Sequence, residues 1–443
     1  MKRIAFVTLG CDKNLVDSEV VLGKLLVRGY NAVVPPEEAE WVFLNTCAFI
    51  RPSCEETEAW IRRLVRLKKK DPRKKIVVLG CYVERFRERA ASQYRDVDFW
   101  VGVHEIFRLP DIISSGKRGV FLGSSPSIYT HTDPRILSTP PHYAYLKIAE
   151  GCLHRCSFCL IPALRGPLRS RPISSVVEEA RLLEKSGVRE IILVAQDLTS
   201  YGLDLYRQRS LGKLLWALGE ALQEDTWIRL LYLSPEGIDD TLIEAVASIP
   251  QVVKYLDVPL QHVVPGILRR MHRFSSFEEI RKRLEKIRDC IPGVALRTTF
   301  MVGFPGEEEE HFLRLLDFVR AFRFERMGAF MYSDEEGTFS FTLEPKVPEE
   351  VKERRYAALM EAQRAVMESV HRTYHGMTLE VLLDEGPLWS ERGPFFLGRT
   401  AKDAPEVDCR VTVWARGGNL RRGQRVPVRI TATSAYELEG EVL

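Results

Sequence analysis

Three cysteines crowd into one short stretch, Cys152, Cys156 and Cys159, in the run Cys-Leu-His-Arg-Cys-Ser-Phe-Cys. Soft thiolates suit iron, and a tight loop can aim three of them at one centre. They would hold three corners of a cubane iron–sulfur cluster and leave the fourth iron open to a substrate or cofactor. Zinc is a second reading, but a structural site wants four protein ligands and a catalytic one three plus water, usually from Cys-x2-Cys pairs. His154 would complete such a set, yet its ring lies between the two cysteines it would have to join. Inert core cysteines are the third reading.

Three further cysteines are spread along the first quarter of the chain. Apolar runs at 4–9, 41–44, 76–79 and 98–101 read as strands, and helical periodicity appears near 15–28, 54–70 and 104–109, an order that predicts an α/β domain on a parallel sheet. Cys11 follows the first run, Cys47 the second and Cys81 the third. The carboxyl ends of parallel strands share one rim, where binding crevices form, so the three thiols are expected together. Gly10 and Gly80 would let the backbone approach closely there. A second three-cysteine cluster is the functional reading; cysteine's general preference for burial is the alternative. Cys54 precedes Glu55 and Glu56, acids that would raise a thiol pKa, and is left out of the site. The basic run Lys68, Lys69, Lys70, Arg73, Lys74 and Lys75 reads equally as a solvated helix end or an RNA contact.

The remaining elements must position these groups. The stretch 126–143, rich in Pro, Ser and Thr, reads as a linker with some freedom. Over 144–346, strands at 143–148, 190–194, 228–233, 253–258, 295–302 and 326–331 alternate with helices at 175–186, 211–223, 238–247, 276–289 and 308–322. Six βα-like units are fewer than the eight of a closed barrel, which predicts a partial (β/α)6 barrel open to a large substrate. Gln196 and Asp197, Gln261 and His262, and the turn from Gly303 to Gly306 end the second, fourth and fifth of these strands, where chemistry belongs. That turn lacks the Gly-Lys-Ser/Thr ending of a phosphate loop. The stretch 337–346 is aperiodic and is expected to leave the barrel. Pro348, Glu349 and Glu350 start a helix expected to run to about residue 374, a connector over 347–375. Five strand-like runs over 376–443 predict a small antiparallel, OB-like β-barrel. From Arg372 to Leu443, ten Lys and Arg balance ten Asp and Glu, so no strong binding to free nucleic acid is expected and a basic protein partner fits as well.

Composition bounds the setting. A chain of 443 residues predicts two to four domains, and 45% hydrophobic content is that of a globular protein. Nothing after Lys2 and Arg3 resembles a signal peptide and no apolar run approaches a membrane span, so a cytoplasmic protein without membrane contact is expected. Nine cysteines, an odd number in a long chain, argue against a disulfide framework and for the reducing compartment that metal clusters need. A net charge of +3 neither requires nor excludes nucleic acid.

The CxxxCxxC spacing at 152–159 resembles the signature of the radical S-adenosylmethionine (SAM) superfamily. The wider window, from Gly151 to Pro162 with Arg165, Gly166, Ser170, Arg171 and Pro172, is similar to its methylthiotransferase branch. Gly10, Cys11, Asn14, Asp17, Ser18, the run Leu44 to Cys47, Gly80 and Cys81 resemble that branch's N-terminal domain. The resemblance implies that Cys11, Cys47 and Cys81 hold an auxiliary 4Fe-4S cluster beside the radical SAM 4Fe-4S cluster on Cys152, Cys156 and Cys159. It further implies a SAM pocket, for which Phe158, Gln196, Asp197, Gly303 and Gly306 are the candidates. Ala48-Phe49-Ile50, the runs at 193–206, 297–307 and 332–338, and a TRAM-like tail with Asp403 to Asp408 resemble the subfamily that modifies a ribosomal protein, although Cys409 stands where many relatives have Gly. The implied reaction makes 3-methylthioaspartate from a specific aspartate of small-subunit ribosomal protein S12, free or on the subunit, with a reductant such as flavodoxin or ferredoxin and a sulfur donor the sequence does not name. A tRNA adenosine methylthiotransferase shares both clusters and is the enzymatic alternative; a non-enzymatic metal-containing ribosome or RNA-binding protein is the other.

Overall fold

The computed structural model describes residues 2–124, 127–273, 276–415 and 419–443. The N-terminal region runs β1 (Lys2–Thr8), α1 (Asp12–Val27), β2 (Tyr30–Val33), β3 (Trp41–Thr46), α2 (Arg51–Lys70), β4 (Lys75–Gly80), α3 (Cys81–Gln93), β5 (Phe99–Val101), α4 (Leu109–Ser114) and β6 (Gly119–Phe121). Its strands form one parallel sheet in the order β2-β1-β3-β4-β5-β6. Phe43, Leu44, Val77, Val78 and Leu79 are fully buried, because helices cover both faces of the central strands. The helix expected at 104–109 is instead a 3-10 turn, Val103–Arg108, leading into α4.

The central region continues with β7 (Tyr143–Lys147), β8 (Ala149–Glu150), α5 (Ile161–Arg165), β9 (Arg169–Ser170), α6 (Ile173–Lys185), β10 (Glu190–Val194), α7 (Leu203–Tyr206), α8 (Leu211–Ala221), β11 (Trp227–Leu230), α9 (Asp240–Ser248), β12 (Val252–Asp257), α10 (Pro265–Arg270), α11 (Phe277–Cys290), β13 (Ala295–Val302), α12 (Glu309–Phe322) and β14 (Arg326–Met331). Six of these strands make an open parallel sheet, β14-β13-β12-β11-β10-β7, the partial barrel expected from the six units. After the connector α13 (Glu349–Arg372), five strands close a barrel: β15 (Thr378–Ser390), β16 (Gly393–Thr400), β17 (Arg410–Trp414), β18 (Arg425–Thr433) and β19 (Glu437–Val442). Four seams are antiparallel as expected, and the fifth, β17 with β19, is parallel. No described helix is long and apolar enough to cross a membrane.

Two connecting segments behave differently from expectation. Residue 126, the first of the expected linker, lies outside the described residues, but the rest of that stretch is tied down. Tyr129 is buried with its hydroxyl donating to Glu179 at 3.2 Å, and Arg135 pairs with Glu19 and Glu179, both at 2.7 Å. Proline content marked it as irregular, not as loose. The stretch 337–346 turns back onto the barrel: the Ser340 amide donates to the Ser157 carbonyl at 2.8 Å, inside the cysteine loop. Just before it, Glu335 pairs with Arg85 at 2.9 Å and accepts from the Arg51 amide, so this strap joins the central region to the N-terminal sheet.

The tail docks on the opposite end of the central sheet. Arg326 meets Asp403, Arg399 meets Glu190, and the Tyr255 hydroxyl donates to Asp408 at 2.7 Å. Glu190 and Arg326 begin their strands, so the acidic stretch from Asp403 to Asp408 seals the sheet's amino-terminal end and leaves the carboxyl-terminal end free.

Candidate functional site

Each cysteine of the N-terminal trio sits at a strand end, where short loops over a buried sheet leave little freedom. Cys11 caps α1 after a turn at Gly10, whose φ is +88°; a Cβ added there would lie 2.7 Å from the Cys47 Cβ, so only glycine lets these two loops meet. The Asn14 side-chain amide donates to the Leu9 and Thr46 carbonyls, each at 3.0 Å, and binds the two loops together. The Thr46 hydroxyl donates to the Leu79 carbonyl at 2.6 Å and accepts from the Tyr82 amide at 3.2 Å, which draws in Cys81 at the start of α3.

The second trio lies on the loop that follows β8. Gly151 turns it at φ +78°, the Cys152 amide donates to the Gly166 carbonyl at 3.2 Å, and the Cys159 amide to the Cys156 carbonyl at 3.1 Å. Ser157 anchors the loop from below, its amide to the Met271 carbonyl at 3.0 Å and its hydroxyl to the Arg270 carbonyl at 2.8 Å.

All six thiols line one cavity of about 510 Å³ between the N-terminal and central sheets. Among the described residues, no three His, Cys, Asp or Glu side chains gather tightly enough for a single metal ion. An iron–sulfur cluster is larger than an ion and needs thiols around a space. Two donors already point at sulfur: the Ile161 amide at Cys159 Sγ and Arg165 Nη2 at Cys81 Sγ, both at 3.4 Å. Such contacts stabilise and tune cluster thiolates, so the residues present fit the group. Cys11 is exposed to the cavity yet walled in by protein, and this burial raises its thiol pKa. Burial pushes Cys81 up to about 11, with Arg165 pulling the other way, Cys152 to about 11 and Cys159 to about 12. These thiols therefore hold their protons at neutral pH until a metal displaces them.

A buried ionic group welds the two halves of the cavity. Arg165, at the end of α5, donates to Asp17 and Glu150, each at 2.9 Å, and to Asn14, while Lys147 pairs with Asp17 and, at 2.8 Å, with Glu150. Burial alone would raise the Glu150 carboxyl, but Arg165 and Lys147 outweigh it and hold it down to about 2.

Of the five residues assigned to SAM, Phe158, Gln196 and Asp197 line the cavity and the two glycines do not. Gly303 is packed under Lys352 and its amide donates to Glu307 at 3.0 Å; Gly306 lies against Arg270 and its amide donates to the Pro345 carbonyl at 2.8 Å. Both amides are spent within the protein, that of Gly303 inside its own turn and that of Gly306 on the strap that folds back over it. Gln196 donates to Glu150 while its Oε1, buried, finds no partner among the described residues. Asp197 caps the 3-10 turn Leu198–Ser200 and holds His154 Nε2 at 2.9 Å, so that ring nitrogen is engaged by a carboxylate. Lys13, Tyr232, Gln261 and Arg273 also line the cavity. Tyr232 and Gln261 have positive φ, 65° and 70°, just past strands β11 and β12. Their strand-end position was a usable signal; nothing local marks Lys13.

Residues 146–319 match the radical SAM superfamily, residues 376–443 the TRAM domain, and residues 3–102 an uncharacterized protein family, UPF0004. Over 445 residues the chain is 42% identical to the ribosomal protein uS12 methylthiotransferase RimO of Heliobacterium modesticaldum, covering 100% of this chain and 95% of the relative. It is 43% identical over 448 residues to the protein of that name from Geotalea uraniireducens, covering 100% and 98%. Among solved structures, the radical S-adenosylmethionine methyltransferase TsrM from Kitasatospora setae matches with a TM-score of 0.56 at 16% identity, over 74% of this chain and 73% of that one, a likeness of fold. The cysteine loop after the first barrel strand and the matched superfamily make this a radical SAM enzyme, using S-adenosylmethionine and iron–sulfur chemistry. Full-length identity above 40% adds the branch: the chain belongs to the ribosomal protein uS12 methylthiotransferase family.

Proposed function

We propose that Cys152, Cys156 and Cys159 hold one 4Fe-4S cluster and Cys11, Cys47 and Cys81 a second, in a chain divided at about residues 125, 143, 346 and 375. The enzyme converts an aspartate of ribosomal protein S12 to 3-methylthioaspartate, exchanging a C–H bond for C–SCH3. The observation that carries this reading is that both trios wall one cavity, so a carbon activated at one end meets sulfur at the other under cover of protein. When bound, S-adenosylmethionine and the clusters supply the one-electron cleavage, the hydrogen-abstracting radical and the transferable sulfur.

The chain's own residues bind, orient and shield. Phe158 offers an apolar wall for the adenine, and the unpartnered Gln196 Oε1 an acceptor for an N–H of SAM. Asp197, with its oxygens already engaged by Thr199, Ser234 and His154, positions the loop. Phe49, Ile50, Leu164 and Leu233 give the cavity an apolar lining that keeps water out. Gly303 and Gly306 support the pocket from behind the strap. The electron comes from a flavodoxin- or ferredoxin-type carrier.

The test is anaerobic reconstitution followed by turnover with uS12 and with tRNA, read by intact mass and peptide mapping. The expected result is one methylthio group on a uS12 aspartate. Unmodified uS12 with modified tRNA adenosine would reverse the substrate assignment, and absence of SAM cleavage under strong reductant would remove the enzymatic reading altogether.

A further inference from the structure

In an aspartate the carboxylate is bonded directly to the carbon that gains sulfur. Wherever that carbon meets the N-terminal trio, a negative charge arrives one bond away. A carboxylate in a largely apolar cavity needs a cation beside it. Lys13, Arg165 and Arg273 are the cations of the lining. Arg165 is committed to Asp17, Glu150, Asn14 and Cys81. Arg273, whose buried Nε finds no partner among the described residues, lies near Cys152 and Cys159, at the other end of the cavity.

Lys13 stands in the first turn of α1, two residues after Cys11. Its side chain is only 12% exposed, and its ammonium lies 2.9 Å from Asp12 Oδ1 and 3.4 Å from the centroid of the Tyr232 ring. The Tyr232 hydroxyl in turn donates to Asp12 Oδ1 at 3.3 Å. Tyr232 follows β11 of the central sheet, so the ammonium is clamped where the N-terminal and central halves of the cavity meet. An ammonium has three donors, and Asp12 takes one.

Resting on the aspartate reading above, we infer that the Lys13 ammonium binds the carboxylate of the substrate aspartate and so sets the preference for an acidic side chain over a neutral one. The contact is a charge-assisted hydrogen bond beside Cys11, which holds the adjacent carbon toward the N-terminal trio.

The test compares binding of two forms of uS12, native and with the target aspartate, located by the mapping above, replaced by asparagine. The full-length anaerobic holoenzyme is used, and the ratio of the two dissociation constants cancels the rest of the interface. The parent should prefer the native form by about tenfold or more, the scale of one charge-assisted hydrogen bond. Lys13→Met and, as a second neutral variant, Lys13→Gln should bring the ratio to about one, while Lys13→Arg keeps most of the preference. A neutral variant that keeps the parent's ratio, or Lys13→Arg losing it as fully as Lys13→Met, overturns the inference. A parent that methylthiolates uS12 yet binds both forms equally refutes the role of Lys13 and leaves the proposed function standing; a parent that modifies tRNA adenosine and not uS12 refutes both.

Discussion

Arg165→Met removes the guanidinium that joins the cysteine loop to the N-terminal sheet, and its cost can be worked from the geometry. Arg165 and Lys147 balance Asp17 and Glu150, and all four side chains are at most 3% exposed. Without Arg165 the buried group carries one uncompensated negative charge, and breaking a buried ion pair from one side costs about 3–5 kcal/mol. The Glu150 carboxyl points the same way: burial would raise it, but Arg165, Lys147 and a hydrogen bond from Gln196 together hold it below the ordinary carboxylate range. A chain with three folded regions does not unfold in one step, so a global midpoint is the wrong assay. Amide hydrogen exchange in α1, β7 and α5, the elements around the group, reads the docking directly. Protection there should fall by about 100-fold or more, since each ~1.4 kcal/mol is tenfold. Adding Asp17→Asn, which removes the surplus charge, should return about 1–2 kcal/mol of it. Protection within about threefold of the parent, well under 1 kcal/mol, would refute the reasoning, as would an Asp17→Asn change that simply adds its separate cost.

Other outcomes follow from the same contacts. Replacing Cys11, Cys47 and Cys81 together by alanine should leave iron and sulfide equivalent to one cluster, and replacing Cys152, Cys156 and Cys159 should leave the other; retention of all the parent's iron by the first variant would remove the auxiliary site. Gly151→Ala should lose the iron of the second trio and keep that of the first, because a Cβ there falls 2.1 Å from the Pro167 carbonyl oxygen at a φ of +78°. Burial would raise the Asp197 carboxyl, but hydrogen bonds from His154, Ser200 and Thr199 outweigh it and hold it to about 2. Its folded pKa is depressed, so its contribution of about 2 kcal/mol is complete above pH ~4 and lost as pH falls through about 2. Acid titration followed by near-ultraviolet circular dichroism should therefore show a loss in that window that Asp197→Asn lacks.

Strands buried on both faces were the easiest elements to read. Glu190–Val194, buried along its whole length, appears at its expected bounds because a parallel sheet covered by helices turns a strand into a nearly unbroken apolar run; Ala295–Val302 and the edge strand Arg326–Met331 also keep their expected bounds. The edge strands Tyr30–Val33 and Gly119–Phe121 were missed, being short and covered on fewer sides. Helix α3 was missed for another reason: it starts on Cys81 directly after β4, with Gly80 in the capping position and no side-chain cap to mark the boundary.

The site divides along the same line between local and distant information. The cysteines were legible because one trio is a spacing and the other a strand-end rule, and both are properties of short stretches. The contacts that decide what enters the cavity are not local: Tyr232 reaches Asp12 across 220 residues, and Arg165 reaches Asn14 across 151. Charge shows the same limit. Ten cations against ten acids over 372–443 describes composition, but Asp403 and Asp408 are taken by Arg326 and Arg297 of the central sheet, and Arg399 by Glu190. The tail's balance was therefore partly a record of its docking rather than of the surface it offers a partner. Lys13 is the converse: one cation in a nearly neutral chain, informative because the fold sets it beside Cys11 and under Tyr232. Substrate choice in such a chain is written in individual buried charges, and a net count averages them away.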